Sequence, residues 1–191
     1  FQLCSLPWPQ DCTLRYLTNS GGAMPKTTVA SLRAALPRAE LFLMYGLTEA
    51  FRSTYLPPEE LDRRPDSMGR AIPNAEVLVV RPDGSLCAPG EPGELVHRGA
   101  LVALGYWNDP ARTAETFVDG WLHSGDIGEI DERGFLKITD RKKDLFKTSN
   151  GKYVAPSLVE STFKGLCPYV GQFLVHGEGK HFVTALVTLD E

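Results

Sequence analysis

A chain of 191 residues, 42% hydrophobic and 23% charged, has the make-up of a globular protein with material for one core or two small ones. Its net charge of −4 gives no basic footprint for nucleic acid and no electrostatic draw toward an acidic membrane surface. No apolar run approaches a spanning helix, and the start FQLCSLPWPQDC lacks both a signal-peptide layout and an initiator Met, which points to a true N-terminus upstream.

Residues 14–19 (LRYLTN) read as a short strand that stops at the glycine loop Ser20-Gly21-Gly22. Pro25 suits the first position of a helix on which Val29, Leu32 and Leu36 share one face while Lys26 and Arg33 point away. Pro37 ends it, and 41–45 (LFLMY) is apolar throughout, the pattern of a buried strand. Strand, loop, helix and strand in that order predict a βαβ crossover with a parallel sheet. The polar, proline-rich segment 52–68 predicts a surface loop.

Beyond it the pattern changes. Short strands over 76–80 and 94–97 are separated by the turn signals Pro82-Asp83-Gly84 and Pro89-Gly90. Asp109 and Pro110 are a good cap and first position for a helix reaching Phe117. Segments 128–130 and 135–138 flank the turn Asp131-Glu132-Arg133-Gly134 as a hairpin, so the middle third is a small antiparallel β-structure. The charge cluster 140–144 (DRKKD) marks a boundary between 1–141 and 142–191. In the latter, Pro156 opens a helix with Val159 and Phe163 one turn apart, Gly165 and Pro168 end it, and strands over 170–176 and 182–189 follow, an α+β unit that stops unfinished. Cys4, Cys12, Cys87 and Cys167 are scattered without metal-ligand spacing, the usage of free thiols in a reducing cytoplasm.

Three segments carry candidate chemistry. The run Tyr45-Gly46-Leu47-Thr48-Glu49-Ala50 follows a buried strand, where open α/β sheets bind ligands. An aromatic ring there can lie on a purine, a hydroxyl can reach a phosphate, and a carboxylate can hold Mg²⁺. The bland alternative is a core Tyr and a solvated Glu. In Gly120 through Gly128 (GWLHSGDIG), glycines between short strands would let backbone approach a ligand and aim Asp126 at the vicinal hydroxyls of a ribose; a self-capped turn is the alternative. In 134–152 (GFLKITDRKKDLFKTSNGK), an Arg fixed at a strand end can donate to ribose or phosphate oxygens, whereas Lys142 reads as a solvated charge. Gly22-Ala23-Met24-Pro25-Lys26-Thr27 is a decoy: a Walker-type loop needs Gly before the Lys, so Lys26 reads as a helix-surface lysine.

In order, YGLTE (45–49), GELVHRGALVALGYW (93–107), GWLHSGDIG (120–128) and DRKKD (140–144) resemble the adenylate-forming superfamily: acyl-CoA synthetases, peptide-synthetase adenylation domains and firefly luciferase. The resemblance covers essentially the whole chain. It implies an α/β fold, with 1–141 the C-terminal part of a large AMP-binding domain and 142–191 the start of a small C-terminal domain. It implies ATP and AMP, Mg²⁺ and coenzyme A as ligands, with a carboxylic acid as substrate. By the same resemblance Tyr45 stacks on adenine, Thr48 contacts phosphate and Glu49 holds Mg²⁺. Gly21, Gly22 and Ala23 line the adenine or acyl pocket beside Gly46. Asp126 binds the ribose hydroxyls, Arg141 also reaches the ribose, Lys143 is a hinge, and Asn150-Gly151 lines a pantetheine tunnel.

The family's Gly/Thr-rich phosphate loop and its late catalytic lysine are both absent from the 191 residues, so this piece alone is expected not to turn over. Segment 145–156 (LFKTSNGKYVAP) is most similar to long-chain acyl-CoA synthetases. Segment 51–70 is more similar to a bacterial acyl-CoA ligase subgroup found with exopolysaccharide and exosortase gene sets, which leaves the acid's chain length open. The alternatives are an amino-acid-activating domain loading a carrier protein, and a non-catalytic AMP-binding module.

Overall fold

The structure is a computed structural model; it describes every residue except 1, 10, 21, 23, 143, 168, 190 and 191. Helix α1 (Gln2–Ser5) precedes β1 (Tyr16–Asn19), α2 (Lys26–Ala35) and β2 (Glu40–Tyr45). β1 pairs parallel with β2, Tyr16 opposite Glu40 through Asn19 opposite Leu43, with α2 as the crossover: the predicted βαβ unit. α2 turns the buried Val29 and Leu32 inward, as its apolar spacing requires. Lys26, paired with Asp66 at 2.9 Å, stays 61% exposed, as expected of a helix-surface lysine.

The expectation of a surface loop over 52–68 is corrected. Strand β3 (Thr54–Leu56) pairs antiparallel with β2, and β4 (Arg70–Ala71) pairs with β3, giving the sheet order β1-β2-β3-β4. Thr54, Leu56, Leu61 and Met68 are buried. The segment is held by tertiary pairing that its polar composition hides: Thr54 and Leu56 alternate inward around Tyr55, too briefly for a period-2 signal.

A second sheet is antiparallel throughout. It comprises β5 (Ala75–Val80), β6 (Gly93–Gly99), β7 (Phe117–Val118), β8 (Trp121–Ile130) and β9 (Leu136–Arg141), ordered β5-β6-β8-β7 with β9 also on β8. Helix α3 (Pro110–Thr116) starts on Asp109, whose carboxylate accepts from the Arg112 amide at 3.0 Å. Here too a reading is corrected: 120–128 is not a loop between short strands but most of the ten-residue β8.

The two sheets meet along a seam. The Met68 amide donates to the Leu136 carbonyl (2.9 Å) and the Leu136 amide to the Gly69 carbonyl (2.8 Å). Leu41, Leu43 and Leu56 from the first sheet and Leu95 and Leu136 from the second share one core with Val29, Met68 and Phe135. That shared core brings the end of β2 to the junction of β8 and β9.

The rest of the chain comprises the pair β10 (Phe146–Lys147) and β11 (Tyr153–Val154), then α4 (Pro156–Leu166), and the pair β12 (Val170–His176) and β13 (Thr184–Leu189). α4 runs past Gly165, later than predicted, and packs on β12 and β9, with Phe163 stacked on Phe173 at 4.4 Å. Pro168, the second expected stop, lies outside the described residues. Among the described residues no helix is long and apolar enough to cross a membrane.

Candidate functional site

β1 and β2 end side by side, and the cleft of about 460 Å³ beyond their carboxyl ends is lined by Ser20, Gly46, Thr48, Glu49, Arg52 and Arg141, among others. This is where open parallel sheets gather ligands. The 46–50 loop is pinned from both directions: Leu47 and Ala50 exchange backbone hydrogen bonds (3.0 and 3.3 Å), and the Glu49 carbonyl accepts from the Ala103 amide at 2.7 Å. Thr48 is thereby exposed at the mouth and Glu49 half-buried.

Behind Arg141 stand Asp126 and Tyr45. They do not line the cleft itself; Arg141 connects them to it. Asp126 and Arg141 face each other across β8 and β9, with Arg141 Nε 3.3 Å from Asp126 Oδ1. The register of β8 against β6 slips between Glu94 and Val96, where Gly125 takes φ +71°. A bulge of this kind re-aims the next side chain, and Gly125 reaches that backbone conformation without strain. It turns the buried Asp126 toward the end of β2, where the Tyr45 hydroxyl donates to Asp126 Oδ2 at 2.7 Å. Burial first, and then the Asp126 charge, push the Tyr45 hydroxyl well above its ordinary value, so it remains a donor. Only 7% of Tyr45 is exposed, and its ring lies tilted 44° against His97 at 5.5 Å. In this conformation the ring offers a purine little surface; its hydroxyl holds a carboxylate.

The three side chains singled out in the sequence thus form one connected group at one cleft. Gly22 and Gly151 do not line it; Gly151 sits in the turn between β10 and β11. Gly21, Ala23 and Lys143 lie outside the described residues. Lys142 is solvated as expected, its side chain 64% exposed, and its ammonium also lies 3.1 Å from Glu94 Oε2. An ion pair that open to water contributes about 1 kcal/mol or less.

Sequence reasoning missed Tyr106, Ser53 and His97. The Tyr106 hydroxyl donates to Glu49 Oε1 at 2.7 Å and fixes that carboxylate at the cleft. Its signal was its place in GELVHRGALVALGYW, a motif given no residue roles. Among the described residues no cluster of three His, Cys, Asp or Glu side chains could hold a metal by itself. A single fixed carboxylate does fit Mg²⁺, which takes one or two carboxylates and fills its shell with waters and substrate phosphates.

His97 is 1% exposed, its Nδ1 2.9 Å from Ser53 Oγ and its Nε2 3.4 Å from the Tyr45 hydroxyl. Burial lowers its pKa from 6.5 to about 4, so the folded protein holds it neutral. Between those values the unfolded chain carries a proton that the folded chain refuses. Stability is therefore full above pH 6.5, falls as pH drops toward 4, and loses roughly 3 kcal/mol from this residue at most. Chemical denaturation of the full-length protein across that window should show the slope, and His97→Gln, which cannot titrate, should flatten it by about 1 kcal/mol per pH unit. An unchanged slope would mean that other groups govern acid stability.

The family model for AMP-binding enzymes matches residues 8–107, which hold β1, β2, the 46–50 loop and β6. The chain belongs to this family of adenylate-forming enzymes. A long-chain-fatty-acid–CoA ligase of Salmonella typhimurium is 43% identical over 143 residues, 74% of this chain and 25% of that protein. The o-succinylbenzoate CoA synthetase of Bacillus subtilis, solved with its acyl-adenylate intermediate, superposes with a TM-score of 0.84 at 30% identity, over 93% of this chain and 37% of that one. The same synthetase with ATP and a magnesium ion gives a TM-score of 0.85 at 28% identity, over 100% of this chain and 39% of that one. The chain therefore spans about a quarter of the length of the curated relatives it matches. Its α/β fold, with a parallel pair feeding antiparallel sheets, is that of the C-terminal part of these enzymes.

Proposed function

We propose that the full-length protein containing this chain is an ATP-dependent, AMP-forming acid–CoA ligase acting on a fatty acid. A substrate carboxylate would attack the α-phosphorus of ATP to give acyl-adenylate and pyrophosphate, and the sulfur of CoA would then displace AMP. The observation that carries this reading is the junction of Tyr45, Asp126 and Arg141 at the edge of a cleft that Thr48 and Glu49 also line. The names of the relatives support the acid and the acceptor.

Each residue has a part. Asp126 has room on its two oxygens for about four hydrogen bonds; Tyr45 fills one, and the Arg141 guanidinium faces the other oxygen as an ion pair, which leaves room for vicinal ribose hydroxyls. Arg141, 59% exposed on its side chain, keeps guanidinium N–H groups for the same sugar or the phosphate. Thr48 would donate to phosphate oxygen, and Gly46, on the cleft wall, would flank the adenine together with Gly21 and Ala23. Glu49, steadied by Tyr106, would hold magnesium together with the phosphates; the ion's chemistry is to offset charge as pyrophosphate departs. Residues 1–141 would belong to the large domain and 142–191 to the small one. Lys143 would be the hinge between the half-reactions and Gly151 part of the wall along the CoA arm.

The test is isotope exchange of pyrophosphate into ATP by the full-length protein. Exchange should require a carboxylic acid and run best with fatty acids. Acyl transfer to CoA, in preference to a phosphopantetheinyl carrier, should then follow. A folded full-length protein that exchanges with no acid in a broad panel removes the ligase reading.

A further inference from the structure

His97 has no part in the chemistry just described, yet it is among the most deeply buried polar side chains of the molecule, in a strand whose neighbours Leu95 and Val96 are apolar core. A buried imidazole with both nitrogens engaged costs more to keep than a leucine would, so what it holds is informative.

The protons can be placed by counting. Tyr45 has one, and its 2.7 Å contact with Asp126 is the strong, charge-assisted one, so that proton points at the carboxylate. The Tyr45 oxygen is then left as an acceptor toward His97 Nε2, 3.4 Å away, and Nε2 must carry the ring's hydrogen. Nδ1 is consequently an acceptor, and the donor within reach is the Ser53 hydroxyl at 2.9 Å. Ser53 gives up its longer contact to the Ala50 carbonyl (3.2 Å) at no loss to that carbonyl, which also accepts from the Leu47 amide at 3.0 Å. One consistent direction results: Ser53 donates to His97, His97 to Tyr45, Tyr45 to Asp126. Donation into the Tyr45 oxygen polarises its O–H and strengthens the bond it makes. It also fixes the swing of the hydroxyl, and so the rotamer of the carboxylate.

We propose that His97 is a positioning residue for nucleotide recognition: through Tyr45 it holds Asp126 in the orientation that receives the ribose hydroxyls. This rests on the nucleotide reading of the cleft given above. No one segment carries the device; Ser53, Tyr45, His97 and Asp126 come from the turn before β3, from β2, from β6 and from β8.

The discriminating measurement is the ratio of affinities for AMP and 2′,3′-dideoxy-AMP, by calorimetry on the full-length protein, because a residue that only fills space lowers both affinities together. His97→Leu should weaken AMP about three- to tenfold, the effect of loosening one charge-assisted hydrogen bond, and leave dideoxy-AMP nearly unchanged, so the ratio falls. His97→Gln keeps a donor near Nε2 and should recover most of the ratio. Tyr45→Phe should lower it as well, and adding His97→Leu to Tyr45→Phe should cost little more, since both act along one chain. If His97→Leu does not fold, Ser53→Ala tests the same chain from its far end: freed of its donor the ring can turn to the other tautomer, and the ratio again falls. An unchanged ratio in whichever of these two variants folds, or a His97→Gln no better than His97→Leu, overturns the proposal. Failure of the unmodified protein to bind AMP sinks the nucleotide reading and this inference with it, whereas an unchanged ratio sinks this inference alone.

Discussion

Replacing Asp126 by asparagine in the full-length protein is expected to weaken AMP binding by about a hundredfold, close to 3 kcal/mol, while leaving the fold intact. The side chain keeps its size, so the packing around a residue only 6% exposed is undisturbed. Its hydrogen-bonding character is not kept. One carboxylate oxygen accepts from Tyr45 at 2.7 Å, and the other is ion-paired with Arg141 Nε at 3.3 Å. An asparagine must present its amide nitrogen either to the Arg141 guanidinium, donor against donor, or to the Tyr45 hydroxyl, which would have to turn its own proton away. It also removes the charge that two ribose hydroxyls would share. Circular dichroism confirms the fold and calorimetry reads the loss; an unaltered dissociation constant for AMP would take Asp126, and with it the ribose assignment, off the site.

A second large effect is expected far from any ligand. Gly69→Ala should destabilise the full-length protein by about 4 kcal/mol or more, whereas Gly84→Ala should cost only about 1–2 kcal/mol. Both glycines have positive φ, +85° and +82°. At Gly84 an added Cβ meets nothing within 4 Å, so the penalty is that of the backbone conformation alone. At Gly69 it would fall 1.7 Å from the Tyr55 carbonyl oxygen and 2.2 Å from the Leu56 amide nitrogen, both backbone atoms of β3, which no side-chain rotation can relieve. The only escape is to part β3 from the seam, with loss of the Leu136 amide bond to Gly69. Urea denaturation of the two variants side by side measures the difference; equal stabilities would show that the seam is slack.

Much of this was legible in the order of the residues. The apolar run 41–45 and the faces of the helix before it suffice for the βαβ unit, because strand and helix each write their period into a few residues. The motifs single out Asp126 and Arg141, which the structure pairs across β8 and β9, but they misread the setting of Asp126. The glycines of 120–128 suggest turns, and their use inside a ten-residue strand, as a bulge, depends on the slipped pairing with β6. β3 was illegible for a different reason: three residues carry too little alternation, and what makes them a strand is β2 beside them. His97 shows the limit most plainly. Its partners stand 44 and 52 positions away in sequence, and nothing local in GELVHRG distinguishes a histidine that holds a tyrosine from one that merely fills a gap.

The seam between the sheets has one more consequence. Thr48 and Glu49 ride on the first sheet, Asp126 and Arg141 on the second, so under the proposed function the span from phosphate to sugar would be set by how the two plates are riveted at Met68, Gly69 and Leu136. Outer faces can drift in sequence without changing that gauge. The rivets cannot, which makes an interior joint, absent from the cleft lining, the calibrating part of the instrument.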